Sequence, residues 1–171
     1  MNRSELIKRI KDDHAAFIQF IGGLSDEQLR VSNPSKWNAY QQAEHIYLCL
    51  RPIQLALRLP NWFPRLMLGK SKSGSRSYEL LVSAYRSTLQ SGGKAPSSYV
   101  PKRHKGSIHD LLAKLESLVH QLCQQIEHYE ESQLDTIRLP HPLLGKLTIR
   151  ELLFFSIYHV GHHHQQASDQ L

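Results

Sequence analysis

The chain has 171 residues, a formal net charge of +6, and a composition of 40% hydrophobic and 21% charged residues, which is typical of one soluble globular domain. It contains no run of eighteen apolar residues, and its charged, amphipathic N-terminus fits neither a secretory signal nor a membrane span. The cysteines Cys49 and Cys123 are isolated, which argues against a disulfide framework or a thiolate zinc cluster and suits a reducing compartment. We therefore predict a single domain over residues 1–171 and a cytoplasmic location.

Two basic segments, GKSKSGSR at 69–76 and PKRHKG at 101–106, raise the question of a nucleic-acid partner. Both lie in stretches rich in Gly, Ser or Pro, and neither aromatic residues nor a recognition motif accompany them. We interpret both segments as solvated basic loops. Neither a nucleic-acid partner nor a membrane partner is expected.

The first predicted helix runs from about Ser4 to Ile21, and two glycines that follow it provide its C-terminal stop. Its apolar residues recur at helical spacing, and His14 falls on the same stripe. Ser25, in the connection that follows, can start one further helical turn.

A second predicted helix begins at Asn38, which can cap it while Gln41 reaches back in a variant of the capping box. His45 lies at the edge of the apolar stripe of this helix. Pro52 falls inside the helix, where proline removes a hydrogen bond, so a bend or a break near Cys49 is expected.

The stretch from 60 to 106 carries the weakest signals, although SYELLVSAYRSTLQ could form a short helix before a loop. A third long helix is predicted from Ser107 to about Tyr129, because its leucines keep helical spacing. Alternation of apolar and polar residues, the pattern of a β-strand, is not found over a useful length.

The last helix is predicted to begin at Thr148, which can form a TxxE capping box with Glu151. A turn-rich segment with two prolines and a glycine precedes it. Four long amphipathic helices without strands predict an all-α fold, a four-helix bundle with an irregular connection between the second and third long helices. Bundles of this kind build metal sites in their core from side chains on facing helices.

Four of the eleven histidines lie on this last helix. His159 and His163 stand four residues apart, so they share one helical face about one turn from each other, where two imidazoles can bind one metal ion. They also continue the apolar stripe and should therefore face the bundle interior. His162 and His164 point to other directions and are expected to be partly exposed.

A useful metal site needs a further ligand from another helix. His45 is the first candidate because it borders an apolar stripe, and His14 is the second; for either residue the alternative is an ordinary, satisfied histidine. Cys49 could join such a site, although packing as a small apolar side chain is the favoured interpretation. The remaining histidines have no spacing that recommends them: His104, His109, His120, His128 and His141.

Two stretches resemble the DinB/YfiT-like superfamily: WNAYQQAEHI at 37–46 and HPLLGKLTIRELLFFSIYHVGHHHQQ at 141–166. The first is similar to a tryptophan-led helix whose histidine is a metal ligand in that family, and the second to the family's closing signature with HxxxH and a glutamine. The resemblance spans most of the chain and implies a DinB-like four-helix bundle that holds zinc, nickel or iron. The ligands it implies are His45, His159 and His163, with one coordination position open to water.

The function that the resemblance implies is that of a metal-dependent enzyme acting on a small molecule. The enzyme would be either a hydrolase or a transferase of low-molecular-weight thiols such as bacillithiol and mycothiol, in which case a thiol cofactor is expected. Homodimers are also implied. The alternative is a non-catalytic metal-binding bundle with a role in stress response or in interaction.

No side chain is identified as a general base. Glu44 points about 100° away from His45 on the helix, and Glu151 is expected to be engaged as a cap. The residue after His159 is a valine rather than the glutamate of HExxH metalloproteases, which disfavours peptidase chemistry. Gln166 could hydrogen-bond the site or lie on the surface, and the sequence leaves both alternatives open.

Overall fold

A computed structural model of the chain describes residues 1–31, 36–59, 71, 73–102 and 106–171. These residues form seven α-helices, one short 3₁₀ turn (Ser97–Tyr99) and a two-stranded sheet. In chain order the elements are α1 (Arg3–Gly22), α2 (Asp26–Leu29), α3 (Ala39–Leu57), α4 (Tyr78–Gln90), α5 (Ile108–Glu127), α6 (Glu131–Thr136), β1 (Arg138–His141), β2 (Gly145–Thr148) and α7 (Ile149–Ser168).

The four long helices α1, α3, α5 and α7 form the predicted bundle. Both α1 and α3 pack against α5 and against α7, so each long helix has two principal neighbours. The short helix α4 packs against α7, and the 3₁₀ turn packs against α3. The all-α bundle with an irregular connection between its second and third long helices is therefore confirmed.

Side-chain caps determine where the long helices begin. Asn38 accepts a hydrogen bond from the backbone N–H of Gln41, whose side chain bonds back to the Asn38 N–H. Thr148 and Glu151 make the same reciprocal pair at the start of α7. These caps satisfy backbone donors that the first helical turn leaves free, so both predicted start sites are confirmed.

Helix α3 continues without interruption through Pro52 to Leu57. Of the two expected outcomes, the break near Cys49 is therefore wrong, and the bend stays a prediction. Leu50 and Ile53, on either side of the proline, are buried in the core, and burial of this stripe against the neighbouring helices offsets the one backbone hydrogen bond that proline cannot make.

A small antiparallel hairpin precedes α7, where the sequence pattern indicated no strand. Its register places Arg138 opposite Thr148 and His141 opposite Gly145, and Gly145 adopts a positive φ of 73° at the turn. Strands of four residues that include Pro140 are too short to display an alternating pattern, which is why they were missed. The hairpin positions His141 beside the bundle.

The segments 60–70 and 103–105, together with Lys72, lie outside the described residues. Three of the eight residues of the first basic segment and three of the six of the second, among them His104, therefore lie outside the described residues, and the expectation about nucleic acid is not tested by the structure. Within the described residues, each helix is too short or too polar to cross a lipid bilayer.

Candidate metal centre

Three buried histidines meet between α3 and α7. The side chains are those of His45, His159 and His163, each with no more than 5% of its surface exposed. The Nε2 atom of His159 lies 3.3 Å from Nε2 of His45 and 3.0 Å from Nε2 of His163. The structure thus brings together the three side chains that the sequence resemblance named.

The orientation of His45 is determined by the 3₁₀ turn. Its Nδ1 lies 2.7 Å from the backbone carbonyl oxygen of Tyr99. Because a carbonyl only accepts, Nδ1 must donate and carries the ring proton, so Nε2 keeps its lone pair. That lone pair is directed towards His159.

His163 is oriented by a side chain of α3. Its Nδ1 contacts the Oε1 atom of Gln42, and the Nε2 of this glutamine donates to the carbonyl oxygen of Trp37 at 3.0 Å. Since the Gln42 amide nitrogen is used on Trp37, its oxygen faces the histidine and Nδ1 of His163 donates. The Nε2 atom of His163 is then also a lone-pair donor.

His159 stands between the other two imidazoles and stacks on Phe155, with ring centroids 4.6 Å apart. Its Nε2 can carry one proton, which can point to only one neighbour at a time. With lone pairs on Nε2 of both His45 and His163, at least one of the two N···N contacts lacks a hydrogen. A cation bound among the three nitrogens would remove this repulsion at both contacts.

Electrostatics keep the three imidazoles neutral. Burial lowers the pKa of His45, and it lowers the pKa of His159 and His163 well below the usual range, with further lowering from the neighbouring histidines. Neutral imidazole is the form that binds metals, so no proton has to leave before a cation can enter.

The donor set fits a divalent ion such as zinc. Tetrahedral zinc with Zn–N bonds of about 2.0–2.1 Å places its ligand nitrogens about 3.3–3.4 Å apart. Nε2 of His159 lies 3.3 Å from Nε2 of His45 and 3.0 Å from Nε2 of His163, and these two distances fit zinc. The group whose potential ligand atoms all lie within 4.8 Å of one another is His45, Cys49 and His159, and His163 adjoins this group through His159.

Cys49, one turn after His45, also lies at the centre. Its Sγ is 3.5 Å from Nε2 of His45, and the potential ligand atoms of His45, Cys49 and His159 all lie within 4.8 Å of one another. Burial raises the pKa of the Cys49 thiol to about 12. Two candidate ligand sets therefore share His45 and His159 and differ in whether His163 or Cys49 is the third member.

His14, the second candidate for a ligand, has its own partner within α1. Its Nδ1 lies 2.8 Å from the carbonyl oxygen of Ile10, and burial lowers its pKa to about 4. It lines a small cavity together with His159 and Cys49, but it is not part of the group of His45, Cys49 and His159 whose potential ligand atoms lie within 4.8 Å of one another.

His162 and His164 are half-buried, as predicted. His162 lies beside His163, with ring centroids 5.1 Å apart, whereas His164 packs against Phe17 and Phe20 of α1. Gln166 donates from Nε2 to Nε2 of His162 at 3.0 Å. This contact joins Gln166 to His162, and both side chains line the polar cavity.

Two cavities adjoin the histidines. An apolar cavity of about 180 Å³ reaches His45, Cys49 and His159. A more polar cavity of about 500 Å³ reaches His45 and His163, with side chains including those of Lys36 and Gln170 in its wall. The centre is therefore flanked by one space suited to an apolar group and one suited to a polar group.

Four residues around the centre were not identified from the sequence pattern. Gln42 and Tyr99 hold the ligand histidines, Trp37 packs on the ring of His45 at 4.6 Å, and His141 lines the apolar cavity. Gln42 stands three residues before His45 on one helical face, a spacing that could have suggested it. Tyr99 acts through its carbonyl, for which a sequence carries no signal.

Comparison with known proteins matches the chain to one protein family. The family model described as the DinB superfamily matches residues 9–167, a range that contains all four long helices except the ends of α1 and α7. A search of curated proteins finds no match to the chain.

Proposed function

Because this chain belongs to the DinB superfamily, we propose that it is a metal-dependent enzyme that acts on a small molecule, as a hydrolase or a low-molecular-weight-thiol S-transferase. The observation that carries the proposal is that the Nε2 atoms of His45 and His163 both lie close to Nε2 of His159, with all three imidazoles neutral and buried beside two cavities. Such a donor set with an adjoining open space is the pattern of catalytic rather than structural metal sites.

The ligands in this proposal are His45, His159 and His163. His163 is favoured over Cys49 because Gln42 orients its Nδ1, leaving the Nε2 lone pair for the ion. The sulfur of Cys49 lies at similar distances from both ring nitrogens of His45, 3.5 and 3.8 Å. An atom ahead of the Nε2 lone pair would lie much farther from Nδ1, so Cys49 sits beside the His45 ring.

A zinc, nickel or iron ion held there would supply a Lewis acid that activates a water molecule or a thiol. The chain itself contributes orientation and exclusion of water. Tyr99 and Gln42 hold two imidazoles in the tautomer that presents Nε2, and Phe155 packs against the third. The apolar cavity would hold the hydrocarbon part of a substrate against the same nitrogens.

The thiol-transfer form of the proposal is supported by the scarcity of carboxylates. Glu151 accepts hydrogen bonds from Arg76 and from the Thr148 N–H, so it is engaged at the start of α7. Among the described residues that line either cavity, Asp169 is the one carboxylate, and it accepts from Gln165. A thiol nucleophile needs less help from a carboxylate base than a water molecule does.

A second candidate function is a non-catalytic metal-binding bundle with a stress-response or interaction role. The nearness of the Cys49 sulfur to Nε2 of His45, 3.5 Å, favours it. If this thiolate turned from the side of the His45 ring towards the ion, it would complete a closed four-ligand site of the structural kind with the three histidines. The cytoplasmic location and the homodimer expected from the resemblance stay predictions under either function.

The experiment that tests the proposal combines metal analysis with an activity screen. Protein reconstituted with zinc, nickel or iron is expected to hold one ion per chain and to turn over ester, amide or epoxide substrates, alone or with thiol cofactors. His159→Ala should lose the ion and the activity together, whereas His120→Ala, an exposed histidine on α5, should keep both. Protein that binds no metal would contradict the proposal, and bound metal without any turnover would favour the non-catalytic bundle.

A further inference from the structure

His141 is a buried histidine outside the three-histidine centre. It ends strand β1, is 7% exposed, and packs edge-on against the ring of Phe155 with centroids 4.4 Å apart. It also lines the apolar cavity, whose wall includes His45, Cys49 and His159. His141 therefore faces the same space as the centre without being one of its ligands.

The hairpin turn determines the tautomer of His141. Its Nδ1 lies 3.2 Å from the backbone nitrogen of Leu143 and 3.1 Å from that of Leu144, and both nitrogens are donors. Nδ1 therefore accepts, and the ring proton resides on Nε2. Burial lowers the pKa of His141 to about 4, so the ring is neutral at neutral pH.

The Nε2–H group is the polar edge of the ring that remains after the turn has used Nδ1. Within the described ranges, no protein acceptor for this group is found. The Nε2 atom is not one of the fully buried side-chain atoms that lack a partner, so this edge of the ring is accessible from the cavity. A ligand atom in the cavity that accepts from it would replace water as its partner.

The rest of the cavity limits what that ligand is. No arginine or lysine is among the described residues of its wall, so at the His141 end, away from the histidine centre, a carboxylate or phosphate would be buried without a counter-charge. Its volume of about 180 Å³ is enough for a single ring, since a cavity of about 150 Å³ holds benzene. The cavity thus suits an uncharged apolar molecule with one hydrogen-bond acceptor.

We propose that Nε2–H of His141 donates a hydrogen bond to the carbonyl oxygen of a small apolar ketone, ester or amide bound in this cavity. The inference rests on the proposed function, for which it specifies the substrate class: an uncharged carbonyl compound whose hydrocarbon part fills the cavity beside the histidine centre. His141 is then a substrate-binding residue.

The test uses two probes of the same shape, acetophenone and α-methylstyrene, which differ in that only acetophenone has an oxygen acceptor. Both are titrated into the full chain, in a zinc-loaded form and in a chelator-treated form. The stretching frequency of the ¹³C-labelled carbonyl is measured by difference infrared spectroscopy. We expect acetophenone to bind more tightly than α-methylstyrene in both forms, with its carbonyl band shifted to lower frequency than in an alkane solvent.

Two substitutions separate the donor from the turn. His141→Asn places Oδ1 where the histidine has Nδ1, so the turn keeps its acceptor while the Nε2–H is lost. Acetophenone affinity should then fall about 10-fold and its band should return to the alkane position, with α-methylstyrene affinity unchanged. His141→Gln, which restores a donor near the Nε2 position, should keep part of the band shift.

The proposal is overturned if neither probe binds the wild-type protein, if both bind equally, or if His141→Asn leaves the carbonyl band where it was. Should the Asn variant fail to fold, the ¹⁵N–¹H resonance of Nε2 in the wild type decides: it must move with acetophenone and stay in place with α-methylstyrene. Since the probes are also tested without metal, absence of metal binding contradicts the proposed function alone, and these results contradict the role of His141 alone.

Discussion

The two halves of α7 differ in whether their buried polar side chains have hydrogen-bond partners within the chain. In the N-terminal half, Arg150 donates to Asp135 and Glu131, and Glu151 accepts from Arg76. In the C-terminal half, His159 and His163 turn their Nε2 atoms towards each other and towards a third imidazole. The charged side chains of the first half have partners within the chain, whereas the facing Nε2 atoms of the second half cannot all be hydrogen-bonded to one another.

The N-terminal half of α7 therefore stabilises the fold, whereas its C-terminal half carries the candidate metal ligands. Buried polar groups need partners. The guanidinium of Arg150 donates to Asp135 and Glu131 of α6 and to the backbone carbonyl oxygen of Met1. Its hydrogen bond lowers the pKa of Glu131, as expected of an ion pair that stabilises the fold. The imidazoles lack complementary donors and acceptors among themselves, which is the condition for binding a ligand.

The largest expected effect concerns the third metal ligand. His163→Ala should weaken metal binding by more than about 100-fold, beyond the 10–100-fold typical of losing a ligand's supporting partner. Cys49→Ala should leave the affinity within a few-fold, because Cys49 sits beside the His45 ring. Metal affinity is measured by competition with a chromophoric chelator.

The opposite result would reverse the ligand assignment. If Cys49→Ala releases the ion and His163→Ala does not, the ligand set is His45, Cys49 and His159, and thiolate-to-cobalt charge-transfer absorption should appear in the cobalt-substituted wild type. Loss in both variants would indicate a closed four-ligand site and favour the non-catalytic bundle.

The next effect tests the N-terminal half of α7. Arg150→Met should lower the free energy of unfolding by about 2 kcal/mol, because the charged hydrogen bonds from Arg150 to Asp135 and Glu131 are lost. The carboxylates that remain are 34% and 52% exposed, so water solvates them and the loss is smaller than for a broken buried pair. Chemical denaturation measures it, and the metal affinity of the folded variant should not change.

Lys8→Ala is the matched control for this prediction. Lys8 pairs with Asp12 on the exposed face of α1, and an exposed pair contributes roughly 0–1 kcal/mol. If Arg150→Met and Lys8→Ala destabilise the chain equally, or if Arg150→Met releases the metal, the division between the two halves of α7 is wrong.

His14 provides a pH-dependent test of a buried imidazole that the chain satisfies itself. Its pKa is lowered from 6.5 to about 4 by burial, so the unfolded chain takes up a proton in this range while the folded chain does not. The stability due to the neutral ring is complete above pH 6.5 and is lost as the pH falls towards 4. The loss between pH 7 and pH 5 is about 2 kcal/mol.

His14→Gln should remove this part of the pH dependence. In chelator-treated protein, the difference in unfolding free energy between pH 7 and pH 5 should be smaller in His14→Gln than in the wild type by about 2 kcal/mol. The exposed His120→Gln serves as control and should keep the wild-type difference. An identical pH dependence in all three proteins would show that His14 is not a neutral buried group.

The smallest effect concerns the support of His163. Gln42→Leu removes the acceptor for its Nδ1 and should weaken metal binding by about 10-fold. Gln54→Leu is the matched control, since Gln54 is equally buried on α3 but bonds to Gln121. Equal losses in the two variants would indicate general destabilisation of α3 rather than orientation of a ligand.

Much of the fold was predictable because its signals are local. Asn38 and Thr148 mark helix starts through side-chain bonds to residues three positions ahead, and these bonds require no knowledge of the rest of the chain. The break expected at Pro52 was wrong for the same reason, because it was inferred from a local effect alone. Its local effect is unfavourable, but burial of the surrounding stripe keeps the helix whole.

The candidate site was predictable in part. The spacing of His159 and His163 indicates a shared face, and the resemblance supplied His45, but neither indicated that Tyr99 and Gln42 determine the tautomers. The Tyr99 contact joins residues 54 positions apart, and the Gln42 contact joins residues 121 positions apart. Contacts over such distances depend on how helices pack rather than on the local pattern.

By itself the sequence determined four amphipathic helices, their caps and the face of α7 that carries two imidazoles, because helical periodicity and capping act within a few residues. Only the tertiary structure decided that His45 completes a cluster, that Cys49 lies beside it, and that a hairpin turn leaves a proton on Nε2 of His141. Protonation and coordination depend on atoms about 3 Å apart in space. Packing of distant segments sets those distances.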